Sequence, residues 1–364
     1  FALDQFAFTG REMGMLQSLR EVPGFLAFGS VFLLLLLREQ SLALLALLLL
    51  GLGTALTGFF PTIAGLFATT LLMSTGFHYY ETMQTSLTLQ LIAKEKTAET
   101  LGRMMAAGSL AAIVTFALIW CGTHFLEIDY RWLYLLFGGA TMLVALLAWR
   151  LFPHFPARTL QHKHMVVRRR YWLYYALTFM SGARRQIFMV FAGFLMVEKF
   201  GYTVGEIALL FMVNASLNVF FAPRIGRLIS KVGERNALLF EYSGLILVFF
   251  GYALVTSARI AAGLYILDHF FFALAISLKT YFQKVAAPED IASTAGISFS
   301  INHIAAVVIP ASFGLLWLTS PALVFYCGAV MALLSLLLSL LIPREPRQGQ
   351  ETIFKSGSLV VNGK

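Results

Sequence analysis

Charged residues are scarce in this sequence. Asp, Glu, Lys and Arg make up 12% of the 364 residues, about half the share that is typical of soluble domains. Hydrophobic residues make up 59%, and the mean hydropathy is +0.79. This composition excludes an ordinary soluble protein. The long and closely spaced apolar runs predict a polytopic helical membrane protein.

The chain contains only two cysteines, Cys121 and Cys327. Neither belongs to a CxxC or another metal-binding spacing, so we interpret both as small apolar helix residues. The common enzyme motifs Gly-x-x-x-x-Gly-Lys-(Ser/Thr), His-Glu-x-x-His and Gly-x-Ser-x-Gly are also missing. We therefore expect no enzymatic activity and no cofactor or metal.

Apolar segments of membrane-spanning length fill most of the chain, since about 20 residues of helix cross a bilayer core of roughly 30 Å. The predicted segments are 12–37, 40–60, 62–93, 97–121, 130–152, 171–199, 204–229, 236–257, 260–285, 290–318 and 321–342. They divide the sequence into an N-terminal bundle at 1–152, a central loop at 153–170, a C-terminal bundle at 171–342 and a tail at 343–364. The tail is polar, and we expect it to be disordered.

The net charge of +9 does not indicate nucleic acid binding, because the basic residues are not gathered on one domain. Most of the 27 Lys and Arg residues lie in alternate loops, on the side that also holds the C-terminus. Cytoplasmic loops carry an excess of Lys and Arg. We therefore predict a multi-pass protein of the plasma membrane, in bacteria the inner membrane, with a cytoplasmic C-terminus. Its partners would be the lipid bilayer and a small-molecule substrate, but no nucleic acid.

One loop carries a recognisable motif. It contains Gly226, Ser230, Lys231, Gly233 and Arg235, and it resembles the signature Gly-x-x-x-Asp-(Arg/Lys)-x-Gly-(Arg/Lys)-(Arg/Lys) of the major facilitator superfamily. In that family the loop helps to hold a cytoplasmic gate through a carboxylate paired with arginine. Ser230 occupies the carboxylate position, so this sequence departs from the gate chemistry of the family.

A faint repeat supports the resemblance. Three residues recur at one constant offset, with Phe6, Thr9 and Glu12 matching Phe200, Thr203 and Glu206. Parallel repeats are what the two halves of a facilitator transporter show. The offset leaves the segment at 171–199 without a counterpart, so we expect one more helix before Phe1, with eleven of twelve membrane helices present.

The resemblance implies an all-α membrane protein built from two pseudo-symmetric helical bundles. It also implies secondary active transport of a small solute by alternating access, with protons as the expected coupling ion. The alternative is a transporter-like fold that serves as a receptor, scaffold or assembly subunit. Uphill solute flux would distinguish the first interpretation from the second.

Six charged residues fall well within the predicted segments, where each costs about 2.5–3.5 kcal/mol at the bilayer centre. They are Arg20, Glu21, Glu81, Arg184, Arg185 and Asp268. Static salt bridges would balance the three positive and three negative charges. Neighbours in a helix differ by about 100° in direction, so we expect Arg20 and Glu21 to point apart. We also expect Arg185, rather than Arg184, to face a polar cavity.

A polar stripe follows one face of the segment at 62–93. Its members are Ser74, His78, Glu81, Thr85 and Thr88. In facilitators the first, fourth, seventh and tenth helices line the central cavity, so the resemblance places Glu81, Arg185 and Asp268 on lining helices. The segment at 290–318 adds Asn302 and His303, although a lone membrane histidine more often only makes a hydrogen bond.

We therefore predict a substrate and proton pathway with Glu81 and Arg185 as its polar centre. Its other members would be His78, Asp268, Arg20, Arg184, His303 and Asn302. A proton on Glu81, or an anionic substrate on Arg185, would break the pair between them and favour the other opening of the transporter.

Overall fold

A computed structural model describes residues 10–156 and 159–354, and the regular structure in that part is almost entirely helical. The helices are α1 (Gly10–Phe25), α2 (Ser30–Leu33), α3 (Glu39–Thr57), α4 (Ile63–Leu91), α5 (Lys94–His124), α6 (Tyr130–Leu151), α7 (Trp172–Gln186), α8 (Gly193–Phe200), α9 (Val204–Val232), α10 (Glu234–Leu254), α11 (Ala258–Phe272), α12 (Ile276–Val285), α13 (Ile291–Thr319) and α14 (Pro321–Leu340). A π-helical turn at Ile187–Ala192 joins α7 to α8. Short 3-10 turns lie at Leu26–Gly29, Arg169–Tyr171, Ala273–Ala275 and Pro288–Asp290.

Each predicted apolar segment is helical over most of its length. Eight helices in the described part of the chain are long and apolar enough to cross a membrane. Helix α4 is not among them, because its polar stripe lowers its mean hydropathy. The predicted helical membrane fold is confirmed, whereas the number of eleven spans stays a prediction. Phe6 and Thr9 of the repeat lie outside the described residues.

Contacts within the chain define two compact units. Unit 1 comprises the described residues among 1–91, 111–166 and 288–307. Unit 2 comprises the described residues among 92–110, 167–287 and 308–364. The sequence predicts two bundles that follow one another in the chain, at 1–152 and 171–342. These bounds stay a prediction.

Helix α3 is the centre of packing in unit 1, where it contacts α4 and α6 along its length. Glycines allow these close approaches. A Cβ atom at Gly76 would overlap the backbone of α3, and one at Gly138 would overlap the backbone of α3 near Gly51 and Ala55. Small residues at such crossings are typical of membrane helices, because association there depends on tight packing.

Helix α10 has the same central place in unit 2. It packs mainly against α14 and also against α11 and α12. Its buried residues include Tyr242, Leu245, Val248 and Phe249. Glu241 lies on the same buried side of the helix, so the packing of unit 2 places one carboxylate in its interior.

The central loop is anchored to the start of α13. The amide of Gln161 donates to the carbonyl of Pro288 at 2.8 Å and accepts from the N–H of Ala292 at 3.0 Å. The N–H of Val166 donates to the hydroxyl of Ser293 at 2.8 Å. Residues 161–166 are therefore held in place by specific hydrogen bonds within unit 1.

The expected disorder of the tail is wrong for residues 343–354. Glu351 is buried, and its backbone carbonyl accepts from the Tyr281 hydroxyl at 2.5 Å. The N–H of Ile353 donates to the carbonyl of Leu341 at 2.8 Å. Hydrogen bonds with Tyr281 and Leu341 hold this part of the tail in place. The polar composition of the tail does not reveal these partners. Residues 355–364 lie outside the described part.

Candidate transport site

Two clusters of ionisable side chains lie among the described helices, one in each unit. The arginine cluster of unit 2 consists of Arg184 on α7, Glu241 on α10 and Asp268 on α11. The histidine cluster of unit 1 consists of Glu21 on α1, His78 on α4 and His303 on α13. Five of these six residues were identified from the sequence as charged or polar residues of the predicted segments.

The arginine cluster is almost completely closed to solvent. Arg184, Glu241 and Asp268 are 3%, 1% and 3% exposed. One guanidinium nitrogen of Arg184 lies 3.8 Å from Oε1 of Glu241, and the guanidinium carbon lies 4.3 Å from the ring centroid of Tyr242. A second nitrogen donates to the hydroxyl of Ser335 on α14. Two other helices of unit 2, α10 and α14, thus supply partners to one arginine.

The carboxylates of this cluster are incompletely satisfied. Within the described residues, Oε2 of Glu241 and Oδ2 of Asp268 have no hydrogen-bond partner. With both carboxylates ionised, the cluster carries one positive and two negative charges. An unbalanced charge in a low-dielectric interior costs far more free energy than it does in water. A proton or a bound cationic group at the cluster would restore the balance.

A small pocket adjoins the arginine cluster. Its cavity volume is about 10 Å³, which is about the space that one water molecule needs. Its polar lining consists of Ser181, Arg184, Arg185, Glu241 and Asp268, and its apolar lining consists of Phe188, Leu245, Phe249 and Phe272. The pocket therefore combines apolar walls with two guanidinium and two carboxyl groups.

The burial of the neighbouring residues Arg184 and Arg185 differs from what the sequence predicts. Arg184 is buried and paired, whereas Arg185 is exposed and its guanidinium lies 5.5 Å from the ring centroid of Phe272. Arg184 is buried because the side of α7 that faces α10 and α14 meets two polar partners, Glu241 and Ser335. Both arginines nevertheless line the same pocket.

The histidine cluster joins three helices of unit 1. Nε2 of His303 lies 3.6 Å from Oε2 of Glu21, and the rings of His78 and His303 meet edge-on with centroids 4.7 Å apart. Phe299 stacks on His303 at 5.1 Å. His78 is 4% exposed, whereas the side chain of Glu21 is 23% exposed. This cluster is more open than the arginine cluster.

Both histidines are oriented by their own helices. Nδ1 of His78 lies 2.8 Å from the carbonyl of Ser74, and Nδ1 of His303 lies 2.8 Å from the carbonyl of Phe299. Because a carbonyl can only accept, Nδ1 carries a proton in each ring. In the neutral form of each ring, Nε2 therefore has acceptor character and is the nitrogen that can bind a metal ion.

The expectation that Arg20 and Glu21 point apart is wrong. Their charged groups lie 3.2 Å apart, since both side chains are long enough to curve around the helix. The Arg20 carbonyl also accepts from the Ser74 hydroxyl. Glu21 thus shares its two oxygens between Arg20 and His303.

The other predicted residues, on α4 and α13, belong to unit 1. Glu81 and Thr85 of the polar stripe are half-buried, while Ser74, His78 and Thr88 are buried. Asn302 is half-buried and precedes His303 on α13. The role of Glu81 and Arg185 as a polar centre stays a prediction.

The residues of the loop motif have identifiable structural roles in unit 2. A Cβ atom at Gly226 would overlap the backbone of Ala98, so this glycine lets α9 approach α5. Gly233 has φ of +83°, a conformation that favours glycine, and it separates α9 from α10. The Ser230 hydroxyl donates to the Gly226 carbonyl at 3.2 Å. Lys231 is exposed and Arg235 is half-buried.

A buried ion pair follows the motif glycine directly. Nζ of Lys284 lies 2.7 Å from Oε1 of Glu234, whose side chain is 3% exposed. Glu234 stands where the family motif has a basic residue. The sequence analysis did not single out this pair, because the two residues belong to different helices and lie far apart in the chain.

Glu241 is the residue of the arginine cluster that the sequence analysis missed. It lies within the predicted segment 236–257, in the apolar run ALLFEYSGLILVFF. A lone carboxylate in such a run costs several kcal/mol unless it has a partner. The isolation of this carboxylate in an apolar run is the feature by which the sequence indicates Glu241, as a seventh charged residue beside the six named above.

Comparisons with known proteins agree with this architecture. Residues 1–310 match the family model of the Major Facilitator Superfamily. A search of curated protein sequences finds no match.

Several solved structures have the same fold at low sequence identity. The human organic anion transporter MFSD10 (TETRAN) is 16% identical, with a TM-score of 0.69, and the match covers 93% of this chain and 87% of that one. The E. coli fucose:proton symporter FucP is 16% identical, with a TM-score of 0.70, over 92% of this chain and 93% of that one. A bacterial homologue of the iron transporter ferroportin is 15% identical, with a TM-score of 0.69, over 93% and 91%.

The family match spans most of the chain, and the helical fold and the loop motif are consistent with it. The protein is a multi-pass membrane protein that belongs to the major facilitator superfamily, a family of membrane transporters.

Proposed function

We propose that this protein is a secondary active transporter that moves a small solute across the plasma membrane by alternating access coupled to protons. In a bacterium this membrane is the inner membrane, and the C-terminus lies in the cytoplasm. The observation that carries the proposal is the arginine cluster, which places two carboxyl groups and one guanidinium beside a small pocket.

The charge balance of the cluster supports proton coupling. Glu241 is paired with Arg184, whereas Oδ2 of Asp268 has no hydrogen-bond partner among the described residues. One proton on Asp268 would make the cluster neutral. Loss of that proton would leave a net negative charge in a closed site, and this charge would favour a conformation in which the cluster meets water or a cation.

The arginines of the pocket favour an anionic solute. Arg184 already contacts Glu241, Tyr242 and Ser335. The exposed Arg185 adds a second guanidinium group to the lining of the pocket. Guanidinium groups bind carboxylates and phosphates through paired hydrogen bonds. One of the similar structures is a human organic anion transporter and another is a fucose:proton symporter. A small organic anion moved together with protons agrees with both observations.

Two further elements belong to the proposal. Glu81 on α4 and Arg185 on α7 form the proposed polar centre, with His78, Asn302 and the remaining members of the pathway around it. The loop that contains Gly226 and Gly233 forms the proposed cytoplasmic gate. There the buried pair of Glu234 and Lys284 supplies a carboxylate and a cation that Ser230 does not provide.

The test combines ligand discovery with flux. A thermal-shift screen of the purified protein against metabolites should give hits that are mainly small organic anions. A radiolabelled hit should then accumulate in proteoliposomes against its gradient when a pH gradient is imposed. A protonophore should abolish that accumulation. Binding without flux at any imposed gradient would instead support the receptor or scaffold interpretation.

Variants locate the coupling group. Asp268→Asn should still exchange solute for solute but should lose accumulation driven by the pH gradient. Glu345→Gln, an exposed carboxylate of the tail, is the matched control and should behave like the wild type. If Asp268→Asn accumulates solute normally while Glu81→Gln does not, the coupling role belongs to Glu81 and the assignment to Asp268 is wrong.

A further inference from the structure

The histidine cluster has the composition of a metal site. Glu21, His78 and His303 each offer one ligand atom, and these atoms lie within 4.8 Å of one another. They come from α1, α4 and α13 of unit 1, so the group is assembled by tertiary packing. Two imidazoles and one carboxylate are ligands that Zn²⁺ and its first-row neighbours accept.

The hydrogen bonds of the two rings fit metal binding. A histidine that binds a metal usually donates its other ring N–H to a carbonyl or carboxylate, which fixes the orientation of the ring. Nδ1 of His78 and of His303 each donates to a backbone carbonyl at 2.8 Å. In the neutral rings, Nε2 is thereby the nitrogen whose lone pair can serve as a metal ligand.

The contact between His303 and Glu21 calls for a cation. Nε2 of neutral His303 and Oε2 of Glu21 are both acceptors, and they lie 3.6 Å apart. Two acceptors at this distance repel one another unless a proton or a metal ion lies between them. Two ligands of one tetrahedral zinc ion lie about 3.3 Å apart, given zinc–nitrogen and zinc–oxygen distances of about 2.0–2.1 Å. The separation of this pair is close to that value, and the full set of three ligand atoms, which lies within 4.8 Å, would close slightly around an ion.

We propose that Glu21, His78 and His303 bind a divalent first-row transition metal ion in unit 1. The ligands would be Nε2 of both histidines and Oε2 of Glu21, while Oε1 of Glu21 remains on Arg20 at 3.2 Å. The partial exposure of Glu21 leaves an entry route to the ion. His78 and His303 are also members of the proposed substrate and proton pathway, but none of the three ligands belongs to the arginine cluster, and metal binding is measured without transport.

Gly24 provides a way to disturb the geometry without removing a ligand. A Cβ atom at Gly24 would overlap the ring of His303, so this glycine lets the histidine lie against α1. The substitution Gly24→Ala should displace the ring while all three ligands stay in the chain. Gly139→Ala is the matched control, because a Cβ atom at Gly139 meets nothing within 4 Å.

The experiment titrates the purified full chain in detergent with Co²⁺, whose visible absorption changes on entering a site with nitrogen ligands. The wild type should bind one Co²⁺ per chain, and Zn²⁺ should displace it. His78→Gln and His303→Gln should each weaken binding by at least about a hundredfold, since each removes a direct ligand. Gly24→Ala should weaken it by about ten- to a hundredfold, the range found when the support of a ligand is lost.

Two controls separate this site from adventitious binding. Gly139→Ala should retain the wild-type affinity within about twofold. So should His269→Gln, which changes a histidine of unit 2 that is bonded to Asn218 at 2.9 Å. Circular dichroism checks that each variant is folded, and Gly24→Ala decides the question if a histidine variant does not fold.

The absence of Co²⁺ absorption in the wild type would overturn the proposal, because a proton alone would then bridge Nε2 and the carboxylate. Equal affinities in the wild type, His303→Gln and Gly24→Ala would also overturn it. Solute transport in proteoliposomes is measured separately, so a failure of the metal site does not depend on the outcome for the transport proposal.

Discussion

The two polar clusters place charge among membrane helices in opposite ways. The arginine cluster contains its own cation, and Arg184 already has partners on α10 and α14. The histidine cluster contains two imidazole rings near a carboxylate, and Nε2 of His303 lies 3.6 Å from Oε2 of Glu21. The first can accept a proton or bind an anion at its pocket, whereas the second is suited to bind a cation.

The two clusters also differ in exposure. The side chains of Arg184 and Glu241 are 4% and 2% exposed, while those of Arg20 and Glu21 are 49% and 23% exposed. Charges that are removed from water interact more strongly and are more expensive to leave unpaired. Loss of one partner should therefore have a large effect in unit 2 and a small effect at the Arg20–Glu21 pair of unit 1.

The largest effect is expected for Arg184→Met. This change removes the buried cation and leaves Glu241 and Asp268 with only the exposed Arg185 as a positive charge at the same pocket. Removal of one partner from a buried pair destabilises proteins by about 3–5 kcal/mol. We expect a loss of this size in the free energy of unfolding in detergent, or a protein that does not fold.

Arg185→Met is the matched control, because it changes the neighbouring arginine, which is exposed. Its free energy of unfolding should change by less than about 1 kcal/mol. Adding Glu241→Gln to Arg184→Met should recover part of the loss, because one unpaired charge is then removed. Equal destabilisation by the two single arginine variants would contradict the comparison.

An intermediate effect is expected for Glu234→Gln. The carboxylate of Glu234 is buried, but its partner Lys284 is 29% exposed, so the unpaired ammonium can still reach water. Hydrogen bonds that involve charged groups contribute about 1.5–3 kcal/mol. We expect a loss near the lower end of this range, measured by the same unfolding experiment.

The control for this pair is Glu99→Gln, whose carboxylate lies 2.8 Å from Arg103 one helical turn away and 4.0 Å from Arg227, both of them exposed. Such pairs contribute about 0.3–0.5 kcal/mol. If Glu99→Gln destabilised the protein as much as Glu234→Gln, burial would not be the property that separates the clusters.

The fold was largely predictable from the sequence because the membrane imposes long apolar helices. The segment predicted at 130–152 is helical as α6, Tyr130–Leu151, and that at 236–257 is helical as α10, Glu234–Leu254. Helix ends were also accessible where local chemistry sets them. Thr203 and Glu206, for example, cap α9 reciprocally, as their spacing of three residues permits.

The sites were only partly predictable, because pairing depends on neighbours from distant helices. The sequence indicated His78, His303 and Glu21 as separate polar residues, but nothing in their spacing shows that they meet. The preference for Arg185 over Arg184 came from the residues of a single helix. The decisive partners, Glu241 and Ser335, lie on other helices. Helical periodicity shows which residues share a face, but not what that face meets.

The smallest effect is expected for Arg20→Gln, and it sharpens the comparison through its dependence on salt. The Arg20–Glu21 contact is 3.2 Å long but partly solvated, so its contribution should be below about 1 kcal/mol. Mobile ions screen exposed charges over about 10 Å at 0.1 M salt and about 3 Å at 1 M, but they screen buried pairs much less. The difference in unfolding free energy between wild type and Arg20→Gln should therefore shrink as the salt concentration rises. The difference between wild type and Arg184→Met should stay nearly constant over the same range. A salt-independent loss of several kcal/mol in Arg20→Gln would mean that the histidine cluster is closed in the membrane, and the contrast between the two clusters would then be wrong.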